Sequence, residues 1–306
     1  MAETMESKII YPAPGKYVVA VSGGVDSMSL LDILVKRSEY ELIVAHFDHG
    51  IRDDSHLDME LVHDVAATYN LEFAGGRLDM GGGASEGDAR KARYEFLYRI
   101  MKEQGAKAIA TAHHLDDRIE TMLLNKQRGA GWYGLAPLRE TNTIKRPLLE
   151  VWKLEIVEYA QVNELKWRED STNKKMDTPR NHIRQQLAAE PGRKRQLAHE
   201  LKVNDEYRDR RMIELEDLAK DIVESDDEGC SIKRSSFLAL DTTSAQDMLF
   251  YVLHSGFGHG FARDQIKRLE HFVKTGLVGK EFSLGQDLRI VSQSSSARIT
   301  RLGRGD

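Results

Sequence analysis

The chain has 306 residues, 41% hydrophobic and 30% charged, which supports a substantial core and excludes global disorder. At this length two domains are expected, and a net charge of −5 excludes a globally basic nucleic-acid coat. Cys230 is the only cysteine, which excludes an intramolecular disulfide and a cysteine-rich metal site. No window reaches the length of a membrane span and the N-terminus lacks a basic-then-apolar signal layout. A cytoplasmic protein with no membrane partner is expected.

The first predicted strand, 17–22, is apolar and β-branched and runs into Ser22-Gly23-Gly24-Val25-Asp26-Ser27 and then an apolar helical pattern over 28–35. A buried strand turning sharply into a helix is predicted, with serine as the helix cap. Such a turn aims backbone N–H groups and a helix N-terminus at one point, which suits a phosphate. The glycines admit close approach, and Ser22 and Ser27 add hydroxyl donors. Asp26 is repelled by a polyphosphate unless a cation separates them, which points to Mg²⁺. A plain Gly-Gly turn with a serine cap accounts for the same residues without a ligand. The Walker and G-x-G-x-x-G patterns are both absent, whereas S-G-G-x-D-S resembles the pyrophosphate loop of ATP pyrophosphatase-type enzymes.

Further strands are predicted at 42–47, 71–75 and 106–112, alternating with helices at 27–37, 55–69, 86–104 and 116–128. This order predicts an α/β fold with a doubly wound, mostly parallel sheet, which binds ligands at the carboxyl ends of its strands. After Pro147 come a helix over 151–163, a polar irregular stretch over 167–179 and a long charged helix from about 193 to 223. The acidic segment 225–229 reads as a linker. A small α+β module follows, with helices at 243–254 and 263–275 and strands at 280–284, 288–291 and 298–300. The domains are therefore expected at 1–190, with a helical linker at 191–228 and a C-terminal domain at 229–306. Gly81-Gly82-Gly83 reads as a flexible loop.

Polar clusters fall where those strands end. His46-Phe47-Asp48-His49-Gly50-Ile51-Arg52 could ligate a metal, but strand alternation throws His46 and His49 apart and favours a cleft lining. In the segment 111–121, Asp117 and Glu120 lie three apart on the first turn of a helix. They suit an amine or Mg²⁺, or simply the helix dipole. Arg128-Gly129 ends that helix, with Gly129 as its cap. Arg90 and Arg93 share a face that clamps phosphate or is merely solvated. The segment 169–173 and Arg180-Asn181-His182-Ile183-Arg184 mix turn-formers with forked cations suited to a phosphodiester backbone. A basic run over 193–211 reads as an RNA face or as one side of a solvated helix.

Taken together, SGGVDS, HFDHGIR, ARKARYEF, TAHHLDDRIET with LLNKQRGAGWYGL, RPLL and WREDSTNKKMDTPRNHIR resemble the tRNA(Ile)-lysidine synthetase family. They occur in that family's order over about 18–184. Arg118 departs from the pattern, where an uncharged polar residue is usual. Thr178-Pro179 departs too, where an aromatic commonly precedes Arg-Asn. The C-terminal part matches only loosely; the resemblance to the compact members implies that 229–306 is a small tRNA-binding domain.

The resemblance implies an adenine nucleotide alpha hydrolase-like, Rossmann-like fold and an ATP- and Mg²⁺-dependent ligase. The implied reaction adenylates O2 of the wobble cytidine in an isoleucine tRNA with a CAU anticodon. The ε-amine of free lysine then attacks C2. By that resemblance Ser22, Gly23, Gly24, Val25, Asp26 and Ser27 cradle pyrophosphate, Asp26 neighbours the Mg²⁺, and Ala45, His46 and Phe47 meet adenine. Asp26, Asp117 and Glu120 are the implied catalytic residues, and His49, Arg90, Arg93, His113, Arg128, Arg180 and Arg184 the implied substrate contacts. A homodimer is compatible with this reading. The rivals are a PP-loop tRNA thiolase, which generally needs a cysteine pair or cluster, and a non-catalytic RNA-binding protein.

Overall fold

The computed structural model describes residues 4–50, 54–78, 86–168, 178–258, 261–285 and 287–302. The chain divides into two compact units, Met1–Arg128 with Gly134–Leu201, and Gly129–Tyr133 with Lys202–Asp306.

The first unit holds α1 (Met5–Lys8), β1 (Gly15–Ala20), α2 (Val25–Val35), β2 (Tyr40–Asp48), α3 (His56–Thr68), β3 (Glu72–Arg77), α4 (Glu86–Glu103), β4 (Ala108–Ala110) and α5 (Leu115–Gln127). Then come β5 (Ile144–Lys145), α6 (Lys153–Val162), α7 (Pro179–Ala189) and the start of α8 (Pro191–Ile222). Its sheet is wholly parallel in the order β3-β2-β1-β4-β5. Val18, Val19, Ile43, Val44 and Ile109 are buried, as a sheet covered on both faces requires. β2 and β3 lie to one side of β1, and β4 and β5 to the other. The strand order therefore reverses between β1 and β4, and a crevice opens beyond their carboxyl ends. Both conspicuous sequence clusters, after β1 and after β4, fall there.

The parallel α/β reading holds, with shifts of detail. β4 is three residues, not the run over 106–112. α2 begins at Val25 with Gly24 as N-cap and no side-chain cap, so the predicted serine cap is corrected. Ser27 instead sits inside the first turn and stitches the loop. The stretch over 167–179 is described only to Arg168 and from Thr178, where Thr178 Oγ1 accepts from Asn181 N at 3.2 Å and Pro179 opens α7. That is one use of the departure from the family pattern at Thr178-Pro179. Residues 51, 52, 81–83 and 169–173, read above as motif or loop, lie outside the described residues.

The second unit carries the rest of α8, β6 (Val223–Asp226), β7 (Gly229–Lys233), α9 (Arg234–Leu238), α10 (Thr242–Phe257), α11 (Arg263–Thr275), β8 (Glu281–Leu284), β9 (Leu288–Ser292) and β10 (Ser296–Arg301). The strands form an antiparallel sheet, β6-β7-β10-β9-β8. Ile232, Ile290 and Ile299 point into a core with Leu249, Leu253 and Leu269 of α10 and α11. The expected linker over 225–229 is corrected to a hairpin. Asp226 Oδ1 accepts from Glu228 N and Gly229 N, each at 3.0 Å, so the acidic residues make a turn with their charges in solvent. Among the described residues no helix is long and apolar enough to cross a membrane.

Candidate active site

The loop between β1 and α2 is held by its own hydroxyls. Ser22 N donates to Ser27 Oγ at 3.1 Å, Ser27 Oγ to Gly24 O at 3.0 Å, and Gly24 N to Ser22 Oγ at 3.4 Å. Gly23 has φ of 87°, a left-handed conformation costly for a side-chain-bearing residue. Its carbonyl accepts from Arg168 N at 3.0 Å, and Arg168 Nε and Nη2 donate to Asp58 at 2.7 Å and Asp54 at 2.9 Å. The loop is thus shaped before any anion arrives, with the α2 N-terminus behind it.

This loop borders a cavity of about 460 Å³. Ser22, Asp26, Ser27, Ala45, His46, Phe47, His49, Arg90, Arg93, His113, Asp117, Arg180 and Arg184 all line it. Residues scattered over more than 160 positions are brought together by the crevice. Gly23, Gly24 and Val25 shape the loop without lining the cavity. Arg128 lies exposed at the C-cap of α5, the end of that helix opposite Asp117, and is not part of the cavity.

Glu120 is also absent from the lining, for a different reason. It is 4% exposed and spent on two arginines. Arg180 Nε donates to Oε2 and Arg184 Nε to Oε1, each at 2.7 Å. Asp117 Oδ1 takes a second nitrogen of each, at 3.2 Å from Arg180 and 3.5 Å from Arg184. The arginines are one turn apart on α7 and the carboxylates nearly so on α5. Ile119 and Met122 of α5 and Ile183 and Leu187 of α7 are buried in one cluster. Each such side chain contributes about 1.5–3 kcal/mol of burial, which offsets the desolvation of the charges above it. The carboxylates thereby orient two guanidinium groups at the cavity wall.

Asp26 Oδ1 accepts from Lys153 Nζ at 2.5 Å. Lys153 opens α6, and its backbone N donates to Asp116 Oδ2 at 2.9 Å, so α5 holds the residue whose ammonium reaches the loop. Sequence reasoning missed Lys153. Its only signal was its place at the start of a helix shortly after Pro147. Asp116 Oδ1 also accepts from Lys194 Nζ at 2.6 Å. Arg118, the other departure from the family pattern, is buried and donates to Pro137 O at 3.3 Å and Glu150 at 2.8 Å. It is absent from the cavity lining.

Burial disfavours the charged form of three imidazoles that line the cavity. Burial lowers the His46 imidazole, whose Nδ1 hydrogen-bonds Val21 O at 2.8 Å. Burial, then the charge of Arg93, lowers His49. Burial holds His113 far below the ordinary histidine range, with Nδ1 2.9 Å from Thr111 Oγ1. Burial works to raise the Asp117 carboxyl, but His114, His113, Arg180 and the His114 N–H together hold it below its usual value. Among the described residues no group of three or more His, Cys, Asp or Glu is placed to hold a metal.

A family model described as the PP-loop domain matches residues 2–190, well over half of the chain. The chain belongs to the PP-loop family. Its PP-loop is the segment that the hydroxyls of Ser22 and Ser27 stitch. The chain is 37% identical over 199 residues to a tRNA(Ile)-lysidine synthase of Solibacter usitatus, covering 62% of this chain and 45% of that one. It is 39% identical over 186 residues to one of Thermotoga maritima, covering 56% and 44%. This PP-loop chain therefore spans less than half the length of these two relatives. A solved U34-tRNA thiolase from Methanococcus maripaludis, described with its 4Fe-4S cluster, shares the fold. Its TM-score is 0.51 at 16% identity, over 65% of this chain and 76% of that one.

Proposed function

We propose that this PP-loop protein is an ATP-dependent tRNA-modifying ligase that joins free lysine to C2 of the wobble cytidine of an isoleucine tRNA with a CAU anticodon. The observation that carries the reading is that Arg180 and Arg184, held by Asp117 and Glu120, line the same cavity as the PP-loop. A cavity lined by both an anion loop and fixed cations suits a polyanion that is cleaved at a phosphoanhydride and releases pyrophosphate.

In this reading O2 of cytidine attacks the α-phosphorus of ATP. The bond to the β-phosphate oxygen breaks and pyrophosphate leaves on the loop. The amine of lysine then attacks C2 and sheds a proton, and AMP departs with O2. The backbone N–H groups at the α2 N-terminus and the Lys153 ammonium take up charge on the leaving pyrophosphate. Asp117, the carboxylate that faces the cavity, holds the amine and accepts its proton. Glu120 acts through the arginines that it orients. Asp26 is the residue that would hold a Mg²⁺, which would neutralise charge on the pyrophosphate.

The thiolase alternative is weaker on a count. Cluster binding takes several cysteine thiolates, and this chain has Cys230 alone. That thiol is buried in β7, and burial pushes it up to about 11. The deciding experiment is incorporation of labelled lysine, with ATP and Mg²⁺, into a tRNA(Ile) transcript carrying CAU. Incorporation there and not into a methionine tRNA is expected; none into either tRNA refutes the ligase.

A further inference from the structure

The basic run at the start of α8 contains one cation that faces inward. Lys194 lies one turn before Leu197 and two before Leu201, and both leucines are buried in one cluster with Leu115, Ile119 and Met122 of α5. From that face its ammonium reaches Asp116 Oδ1 at 2.6 Å, with the Lys194 side chain 31% exposed and that of Asp116 only 8%. A carboxylate so buried needs a countercharge, and Lys194 supplies it.

The second oxygen of Asp116 is spent on α6. The first N–H groups of a helix have no partner within it. In α6 the leading one, Lys153 N, donates to Asp116 Oδ2 at 2.9 Å, and just before it Leu115 N donates to Val151 O at 3.0 Å. Two bonds between the same two segments fix both the place of the α6 start and its rotation about the helix axis. That rotation sets the direction of the first side chain. Here it brings Lys153 Nζ to Asp26 Oδ1 of the PP-loop at 2.5 Å.

We propose that Lys194 and Asp116 are positioning residues for the phosphate grip. Their ion pair holds the start of α6 so that the Lys153 ammonium stands at the loop and meets the phosphates of ATP. Neither residue lines the cavity, so both act through Lys153. Lys194 also lies beyond residue 190, where the match to the PP-loop domain ends. The grip therefore depends on a helix outside the matched span. The proposal rests on the ATP reading given above and extends it to residues that the nucleotide does not reach.

The test is a double-mutant cycle on the full chain, read by calorimetry of ATP binding with Mg²⁺ and by urea denaturation. Lys194→Met is expected to raise the Kd for ATP about fivefold in the parent and less than about twofold in a Lys153→Met background. Its urea midpoint should fall equally in both backgrounds, because Asp116 loses its countercharge whether or not Lys153 is present. Lys194→Arg keeps the charge and should bind ATP like the parent. The paired variant Asp116→Asn, Lys194→Met removes both charges and leaves no stranded carboxylate, so it decides the matter where the single variant does not fold. It should show the same loss in the parent and the same silence without Lys153. A Kd that Lys194→Met and the paired variant leave unchanged, or raise equally in both backgrounds, overturns the positioning role. In a parent chain that binds ATP, that result refutes the pair alone. A parent chain that binds no ATP refutes the ATP reading and the positioning role with it.

Discussion

Lys153 Nζ and Asp26 Oδ1 meet at 2.5 Å, 127 residues apart in sequence, and that offset recurs along both helices. Tyr159 OH donates to Asp32 Oδ2 at 2.5 Å, and Lys36 Nζ donates to Asn163 Oδ1 at 2.9 Å, each again 127 apart. α2 and α6 therefore lie parallel and in register, tied at both ends. Their N-termini arrive together at the PP-loop, so the loop carboxylate meets a cation before any metal or nucleotide is considered.

Lys153→Met should raise KM for ATP about tenfold, or about 1.4 kcal/mol, with Lys153→Arg close to the parent. The pair is partly exposed, so unfolding free energy should move by no more than about 1 kcal/mol. Nucleotide titration calorimetry and urea denaturation separate the two. An unchanged ATP affinity would remove Lys153 from the site.

Asp26→Asn should cut pyrophosphate release at least a hundredfold while tRNA affinity stays within twofold. Kinetics and anisotropy on the same preparation check this. Equal loss of both refutes a role confined to the phosphates.

Glu120→Gln leaves Arg180 and Arg184 with one buried anionic partner fewer. Breaking a buried pair in this way costs about 3–5 kcal/mol, read as a lower urea midpoint. Ligation should fall further than stability explains, because both guanidinium groups lose their aim. A variant as stable and active as the parent would show that Glu120 orients neither.

Asp32 predicts a pH dependence. Burial works to raise its carboxyl, but hydrogen bonds from Lys36, Tyr159 and Tyr69 hold it below the ordinary value. A carboxylate lowered in the folded state stabilises the fold above its unfolded pKa of about 3.9, and that part is lost as pH falls through the folded value. Urea unfolding from pH 6 down to pH 3 should therefore show stability declining below about pH 4. Asp32→Asn should start less stable and decline less steeply; parallel curves would exclude Asp32 as a contributor.

The order of the main elements and the parallel α/β character were legible in the sequence, but the three-residue length of β4 was not. β-Branched runs buried on both faces and 3.6-residue apolar periods are local signals, and so is the glycine pair that forms the loop. The C-terminal hairpin was not legible, because an acidic turn and an acidic linker have the same composition until Asp226 is seen to accept from Glu228 N and Gly229 N.

The sequence by itself determined which polar clusters follow the strands, the reversal from strand to helix after β1 and the single cysteine. Only the tertiary structure decided how they pair. Glu120 faces two arginines some sixty residues away rather than the cavity, Arg128 stays outside it, and Lys153 meets Asp26 across two helices in register. Periodicity assigns a side chain to a face of its own element. Which charge waits on the facing element is set by strand order and helix packing, and these depend on the whole chain at once.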